Sequence, residues 1–300
     1  MDVTDLRIFD AVARLGSMSR AAIELHTVQS NVTGRIRTLE REVGIALFQR
    51  HVRGVSITPA GQRMLPFAAR IASLITDARQ AALDEGPPKG ALSIGALWST
   101  GTHHLPGIVS DFSRQYPQVT LSMTAGTCAA LMDAVASDEL DGAFVSAPGA
   151  HPDIDAIAAF SEELVLVTPA SIRSLEEVQA ATHLKAVVFA QGCTYRQRLE
   201  SLLMDLDVKS TALLELESVE TIISCVSSGV GISLLPRSVV ARAALEKRVI
   251  VHAVPSSISS MEVSFIRRRD SYFSSAMRAF VELACLRDGG SSHLCFDRAA

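Results

Sequence analysis

A short amphipathic segment near the amino terminus constrains this chain more than any other stretch. The segment is TVQSNVTGRIRTLE, residues 27–40, and its apolar residues recur at spacings of four and three, which predicts a helix packed on one side. Those residues are Val28, Val32, Ile36 and Leu39. Thr27 is placed to cap this helix through its hydroxyl. The opposite face carries amide, hydroxyl and guanidinium groups that can read base edges in a major groove, although an ordinary surface helix would show the same pattern.

The residues before this segment fit two more helices. Leu6 and Phe9 give a first helix its buried side, and Gly16 ends it. Ser17 or Ser19 can cap a second helix, in which a pair of alanines permits close packing against a neighbour. Two short helices joined by a tight turn, the second polar on its outer side, predict a helix-turn-helix.

The residues after the segment fit a small β-hairpin. Gly44 closes the third helix, and apolar residues alternate with polar ones in IALFQRHVRGVSITPAG, residues 45–61. Arg50 and Arg53 would lie along phosphates on this wing, a contact that gives affinity and register but little sequence information.

Charge is distributed unevenly along the chain. The formal net charge is −4, yet residues 35–53 contain five arginines and no lysine. A local basic patch on an acidic protein suits a small DNA-binding module attached to a larger soluble unit. The start MDVTDLRIFD lacks the features of a signal peptide and no apolar run reaches the length of a membrane span, so we expect a cytoplasmic protein with no membrane partner.

The five cysteines are scattered through the chain without a CxxC pair. An odd number in a reducing compartment suggests free thiols. No His, Cys or acidic cluster has the spacing of metal ligands, so we predict neither a metal nor a cofactor.

The amino-terminal sequence from Phe9 to Gly61 resembles the winged helix-turn-helix of LysR-type transcriptional regulators. The match runs without a gap over roughly the first sixty residues and includes the GS, AA, LE, G-x-x-LF-x-R and T-x-AG landmarks. The resemblance implies an α/β protein with an N-terminal winged helix-turn-helix, a long linker helix and a C-terminal two-lobed effector domain like that of periplasmic binding proteins. It also implies double-stranded DNA, in the form of a pseudo-palindromic operator, as a partner.

The family's DNA-facing positions carry over residue by residue. They fall here on Thr27, Gln29, Ser30, Asn31, Thr33, Arg35 and Arg37, with Arg50, Arg53 and Thr58 near the DNA backbone. Gly34 departs from the pattern, because the family more often has a longer side chain there. Glycine inside a helix costs about 1 kcal/mol against alanine, so Gly34 either permits close approach to DNA or is merely tolerated.

A long helical pattern follows from Thr58 and stops at GPPKG. Its apolar stripe needs a partner, and the family implies antiparallel pairing with a second subunit, in a homodimer or homotetramer; packing on its own chain is the alternative. We therefore predict a DNA-binding domain at 1–58, a linker and dimerisation helix at 59–86 and a regulatory domain at 87–300.

From Ala91 short apolar strands alternate with helices, which indicates parallel sheets covered by helices. The family resemblance implies two lobes in this part. The first would hold about 90–161 and 267–290, and the second about 162–266, with the chain crossing near 160–163.

Ligands of open α/β sheets bind beyond the carboxyl ends of strands, at helix N-termini. Following each strand to its end predicts an effector site, and the same residues could instead be helix caps. The predicted effector-binding residues are Trp98, Ser99, Thr100, Thr102, Gly126, Thr127, Cys128, Ser146, Cys193, Thr194, Tyr195, Glu217 and Ser218. The effector expected is a small organic acid or aromatic metabolite, for which Arg196 could be a carboxylate clamp or a surface ion pair.

The predicted function is therefore regulation of transcription by a small-molecule effector, with RNA polymerase as a further possible partner. A redox sensor of the same family, acting through a cysteine thiol, is the main alternative. An enzyme is not expected, because the chain has no G-x-S-x-G elbow, no phosphate loop and no recognisable Ser-His-Asp set.

Overall fold

The computed structural model describes residues 1–51, 54–181, 184–208 and 212–286. It divides into two compact units, Met1–Leu83 and Asp84 onward. The first unit contains α1 (Val3–Leu15), α2 (Met18–Glu24), α3 (Gln29–Val43), β1 (Phe48–His51), β2 (Gly54–Ile57) and α4 (Pro59–Leu83). Within the described residues no helix is long and apolar enough to cross a membrane.

The predicted ends of α1 and α3 and the predicted serine cap of α2 are confirmed. Gly16 ends α1 with a left-handed φ of 60°, and Gly44 ends α3 with a φ of 79°. Ser17, rather than Ser19, caps α2 by accepting from the backbone N–H of Arg20. The wing is present as well, because β1 and β2 pair in antiparallel register.

The start of α3 differs from the prediction in two respects. The helix begins at Gln29, so Val28 is the capping residue and Thr27 is not. The side chain of Val28 is 64% exposed, whereas Val32, Ile36 and Leu39 are fully buried. The predicted apolar stripe included Val28, which lies one residue before the helix. Because the backbone of Val28 is extended and not helical, its side chain does not continue the buried face.

The core of the first unit is formed by α1, α2, α3 and the start of the wing. Phe9 is fully buried and its ring lies 5.2 Å from that of Phe48. Only the first part of α4 joins this core, through the buried Gly61 and Ala68. Farther along α4, apolar side chains remain exposed, including Leu74 at 46% and Leu83 at 67%.

The second unit alternates strands and helices. Its elements are β3 (Gly90–Leu97), α5 (Trp98–His103), α6 (Leu105–Gln115), β4 (Val119–Gly126), α7 (Cys128–Ala136), β5 (Gly142–Ser146), β6 (Ile154–Pro169), α8 (Leu175–Ala180), β7 (Lys185–Val188), α9 (Thr194–Asp205), β8 (Ala212–Glu215), α10 (Val219–Ser227), β9 (Gly231–Pro236), α11 (Arg237–Leu245), β10 (Val249–His252), α12 (Ser256–Ser259), β11 (Ser260–Arg268) and α13 (Ser275–Leu286).

The strands form two lobes that share β6. In the first lobe β3 pairs in parallel with β4 and β5, and in the second β7 pairs in parallel with β8 and β9. Residues 154–163 of β6 pair with β11, while residues 164–169 pair with β9 and β10. The chain therefore passes from one lobe to the other within β6.

The alternation of strands and helices predicted parallel sheets, whereas the observed sheets contain both parallel and antiparallel pairs. Strands β6 and β11 run antiparallel to each other, and β11 is also antiparallel to β5. These two strands carry the chain out of the first lobe and back into it, so they lie side by side in opposite directions. The carboxyl ends of β3, β4 and β5 still share one edge of the first lobe, which positions the site described next.

Candidate functional sites

The first candidate site is the outer face of α3. Gln29, Ser30, Asn31 and Arg37 are exposed there, and Thr33 is partly exposed. These side chains supply amide, hydroxyl and guanidinium groups on a helix whose other side is buried. Such a helix can enter a major groove with its N-terminal residues at the base edges.

Two hydrogen bonds hold the amide side chains of this face. The Ser19 hydroxyl of α2 donates to Gln29 Oε1 over 3.1 Å. Asn31 Nδ2 donates to Thr27 Oγ1 over 3.0 Å, so Thr27 supports its neighbour instead of capping the helix. From the sequence Ser19 is predicted only as a possible helix cap, because a contact between residues ten positions apart on different helices has no local signal.

Arg35 does not stand free on this face, although its side chain is 39% exposed. Its Nη1 lies 2.8 Å from Asp2 Oδ2 and 2.9 Å from Asp5 Oδ1, and the Asp5 side chain is buried. The backbone N–H of Asp5 and the Arg35 guanidinium lower the pKa of Asp2. Arg35 thus ties the start of α1 to α3, and the α1 carboxylates occupy its charge.

Replacing Arg35 by alanine is expected to lower the Tm of the first unit by a few degrees, because it leaves the buried Asp5 carboxylate without its cation. The lowered pKa of Asp2, the second partner of Arg35, gives stability that is present above the ordinary carboxyl pKa of about 4 and lost as the pH falls through the lowered value. The difference in Tm between the wild type and Arg35→Ala should therefore be full at pH 7 and shrink below about pH 4.

Arg37→Ala is the matched control for this change, since Arg37 is exposed on the same helix and makes no ion pair among the described residues. It should leave the Tm unchanged at both pH values. A variant Arg35→Ala with an unchanged Tm and a reduced DNA affinity would show that Arg35 reads DNA directly.

Three predicted backbone contacts have different outcomes. Thr58 is 8% exposed; its hydroxyl donates to the carbonyl of Ala46 and accepts from the N–H of Gly61, so it closes the junction of wing and α4 and is not available to a phosphate. Arg50 lies in β1, where only its backbone is described. Arg53 lies outside the described residues.

The second candidate site is a cavity between the two lobes of the second unit, with a volume of about 260 Å³. Its lining residues are Leu97, Trp98, Gly126, Thr127, Cys128, Ser146, Phe189, Ala190, Gly192, Cys193, Thr194, Tyr195 and Glu217. Most follow the carboxyl ends of strands or begin helices, and a cavity of this size suits a small organic molecule.

Most of the predicted effector-binding residues line this cavity. Thr100 does not, because it is fully buried and its hydroxyl points to Glu162 Oε1 at 3.4 Å. Ser218 caps α10 by accepting from the N–H of Thr221. The side chains of Ser99 and Thr102 lie outside the described residues.

Three apolar lining residues were not predicted from the sequence: Leu97, Phe189 and Ala190. Leu97 is the last residue of β3, and the other two follow β7 directly. An apolar residue at a strand end looks like sheet core in the sequence, so selecting polar side chains overlooked the apolar walls.

Two hydrogen bonds join the lobes around the cavity. Ser146 Oγ at the end of β5 lies 2.8 Å from Thr194 Oγ1 at the start of α9. The Tyr195 hydroxyl donates to Glu162 Oε2 over 2.7 Å, and Glu162 is buried on β6 where the chain passes between lobes. A molecule that touches Thr194 or Tyr195 therefore acts on contacts that hold the two lobes together.

The thiols of the cavity are not activated. Burial raises the pKa of Cys128. Burial also raises the pKa of Cys193, and the backbone N–H groups of Arg196 and Tyr195 offset this only in part. Because the thiolate is the reactive form, the raised pKa of each cysteine disfavours its reaction. Cys128, Cys193 and Cys225 are free thiols, Cys285 is buried, and Cys295 lies outside the described residues.

Arg196 is not a carboxylate clamp. Its Nε lies 3.0 Å from Glu200 Oε1 and its Nη1 lies 2.8 Å from Glu215 Oε2. Of the two readings the sequence left open, the ion pair is the one observed. In the part of the chain that is described, no three His, Cys, Asp or Glu side chains cluster as metal ligands would.

A winged helix-turn-helix and a two-lobed unit with a cavity between its lobes together define a DNA-binding protein that responds to a ligand. The comparisons agree with this class. Residues 3–62 match the bacterial regulatory helix-turn-helix of the LysR family, and residues 85–285 match the LysR substrate binding domain. The chain belongs to the LysR family of transcriptional regulators, as its N-terminal motifs predicted.

Relatives and solved structures cover nearly the whole chain. It is 40% identical to the HTH-type transcriptional regulator CzcR of Bacillus cereus over 94% of this chain and 96% of that protein. ArgP from Mycobacterium tuberculosis has a similar fold, with a TM-score of 0.74, 16% identity and coverage of 97% of this chain and 98% of that one. CbnR in complex with its target DNA has a TM-score of 0.63, 23% identity and coverage of 96% and 100%.

Proposed function

We propose that α3 lies in the major groove of an operator, with Gln29, Ser30 and Asn31 at the base edges. The observation that supports this most strongly is that these three side chains are exposed on a helix whose opposite face is buried. Thr33 and Arg37 extend the same surface, while Arg50 and Arg53 follow the phosphates of the flanking backbone. Ser19 and Thr27 hold the amide side chains of Gln29 and Asn31, respectively, by hydrogen bonds.

Two DNA-binding units are needed to read a pseudo-palindrome. We propose that α4 supplies the contact between the two subunits. Its exposed apolar residues Phe67 and Leu74, on one face of the helix, support pairing with a second copy, in a homodimer or a homotetramer. A regulator bound upstream of a gene is placed to contact RNA polymerase. We propose the cytoplasm as its compartment, because that is where the operator is read.

The cavity between the lobes is the proposed effector site. An effector changes operator binding only as far as it binds two conformations of the protein unequally, and the hydrogen bonds of Thr194 and Tyr195 across the lobes are contacts that such a ligand would alter. The role proposed is regulation and not catalysis. The raised pKa values of Cys128 and Cys193 favour a metabolite over an oxidant as the signal.

Trp98→Ala tests the effector site. Trp98 lines the cavity and is 49% exposed, so its removal should spare the fold while opening the largest aromatic wall of the site. A ligand that raises the Tm of the wild-type chain in a thermal-shift screen, and that changes its operator affinity, should lose at least tenfold in affinity for the variant. Operator binding without ligand should stay the same.

Two results would count against the proposal. One is an unchanged ligand response in Trp98→Ala, which would place the effector elsewhere. The other is a screening hit that stabilises the chain but never alters operator binding, which would separate the cavity from regulation.

A further inference from the structure

The lining of the cavity carries a negative formal charge and no positive one. Among its lining residues Glu217 is the one with a formal charge, and in the described part of the chain Glu217 makes no ion pair. The guanidinium of Arg196, in the first turn of α9, is held by Glu200 and Glu215. The exposed carboxylate of Glu217 therefore has no cationic side chain as a partner among the described residues.

The other polar groups of the lining have partners already. Ser146 and Thr194 bond to each other, and the Tyr195 hydroxyl donates to Glu162. Thr127 accepts from the first turn of α7, so part of the donor capacity of that helix start is used. Since burial raises the pKa of both lining thiols, they add no negative charge of their own.

The rest of the surface is apolar and aromatic. Leu97, Trp98, Phe189 and Tyr195 surround the cavity, and its volume is about 260 Å³. Aromatic faces attract a cation as well as an apolar body, so these walls and the carboxylate favour the same kind of ligand.

We propose that the cavity binds a small molecule with an apolar, aromatic-sized body and an ammonium group that pairs with Glu217. This inference rests on the proposed effector role of the cavity and names the chemical class of its ligand. It departs from the expectation of a plain organic acid. The starts of α7 and α9 line the cavity, and each offers an acid the equivalent of roughly half a positive charge. Glu217 sets a full negative charge against an acid, and the aromatic walls favour a cation.

Matched pairs of compounds test the proposal on the full chain. Phenethylamine and 3-phenylpropanoate share a ring and a two-carbon spacer and differ in the charged group, as do tryptamine and indole-3-propanoate. At pH 7 each amine should raise the Tm and bind at least tenfold more tightly than its matching acid. In Glu217→Gln the amines should lose at least tenfold in affinity, because the amide keeps the shape and removes the charge.

Glu139→Gln is the control, since Glu139 is an exposed carboxylate in the same unit that does not line the cavity. It should leave every affinity unchanged. The proposal is overturned if the acids bind as well as the amines, if Glu217→Gln leaves the amine affinities unchanged, or if no compound of either pair binds. Acids that bind and alter operator affinity would refute the ammonium inference alone and leave the effector role of the cavity in place.

Discussion

Gly61→Ala is expected to lower the free energy of unfolding of the DNA-binding unit by about 3 kcal/mol or more. A Cβ at this position would lie 2.4 Å from the carbonyl oxygen of Leu47 and 2.6 Å from Cγ1 of Ile57. The Leu47 oxygen cannot yield easily, because it accepts from the backbone N–H of Thr58 over 2.9 Å. The added methyl group must therefore push the first turn of α4 away from the wing.

Hydrogen exchange of the α1 and α3 amides in the full-length chain measures this change, because it reports the opening of the first unit separately from the second. Protection should fall by about a hundredfold, as 1.4 kcal/mol corresponds to a factor of about ten. Operator binding should weaken as well, since the wing and α3 share one core.

Gly34→Ala supplies a matched control of opposite sign. A Cβ at Gly34 meets nothing within 4 Å, and the residue lies inside α3. Alanine should therefore stabilise the unit by about 0.5–1 kcal/mol. If Gly61→Ala cost less than about 1 kcal/mol, the packing of α4 on the wing would be looser than described. If Gly34→Ala weakened DNA binding while raising stability, close approach of the DNA backbone would explain the glycine.

Local signals predicted most of the first unit. The glycines that end α1 and α3 and the serine that caps α2 act through their own backbone or the next turn, so their effect can be read from neighbouring letters. Arg35 and Thr58 could not be placed in this way. Their partners, Asp2 and Asp5 for one and Ala46 for the other, lie elsewhere in the chain, and an arginine or threonine looks the same whether it faces a partner or DNA.

The second unit shows the same division. The ends of β3, β4 and β5 are visible in the sequence, and following them located much of the cavity lining in advance. The direction of β6 against β11 was not visible, because it depends on pairing between residues about a hundred positions apart. The charge balance of the cavity was equally hidden, since it required knowing that Arg196 binds Glu200 and Glu215.

Gln29→Ala is expected to remove base discrimination at one position of each half-site. A glutamine amide that reads a base edge contributes about 1–3 kcal/mol of discrimination, or roughly 5- to 150-fold. Ser19→Ala should cause part of this loss, because the Ser19 hydroxyl holds the Gln29 amide at 3.1 Å. In a Gln29→Ala background Ser19→Ala should add nothing, which a double-mutant cycle would show.

The salt dependence distinguishes this role from a phosphate contact. An uncharged amide releases no counterion, so the slope of affinity against salt should not change in Gln29→Ala. Gln118→Ala is the control, because Gln118 is exposed in the second unit, outside the helix-turn-helix. It should bind DNA as the wild type does.

The most direct measurement is the affinity of the wild type, Gln29→Ala and Gln118→Ala for an operator selected from random duplexes and for every single-base variant of that operator, at one salt concentration. We expect Gln29→Ala to bind all four bases at one position of each half-site within about twofold, while it still discriminates at the other positions. A profile of Gln29→Ala that superimposes on that of the wild type would contradict the assignment of α3 as the helix that reads DNA.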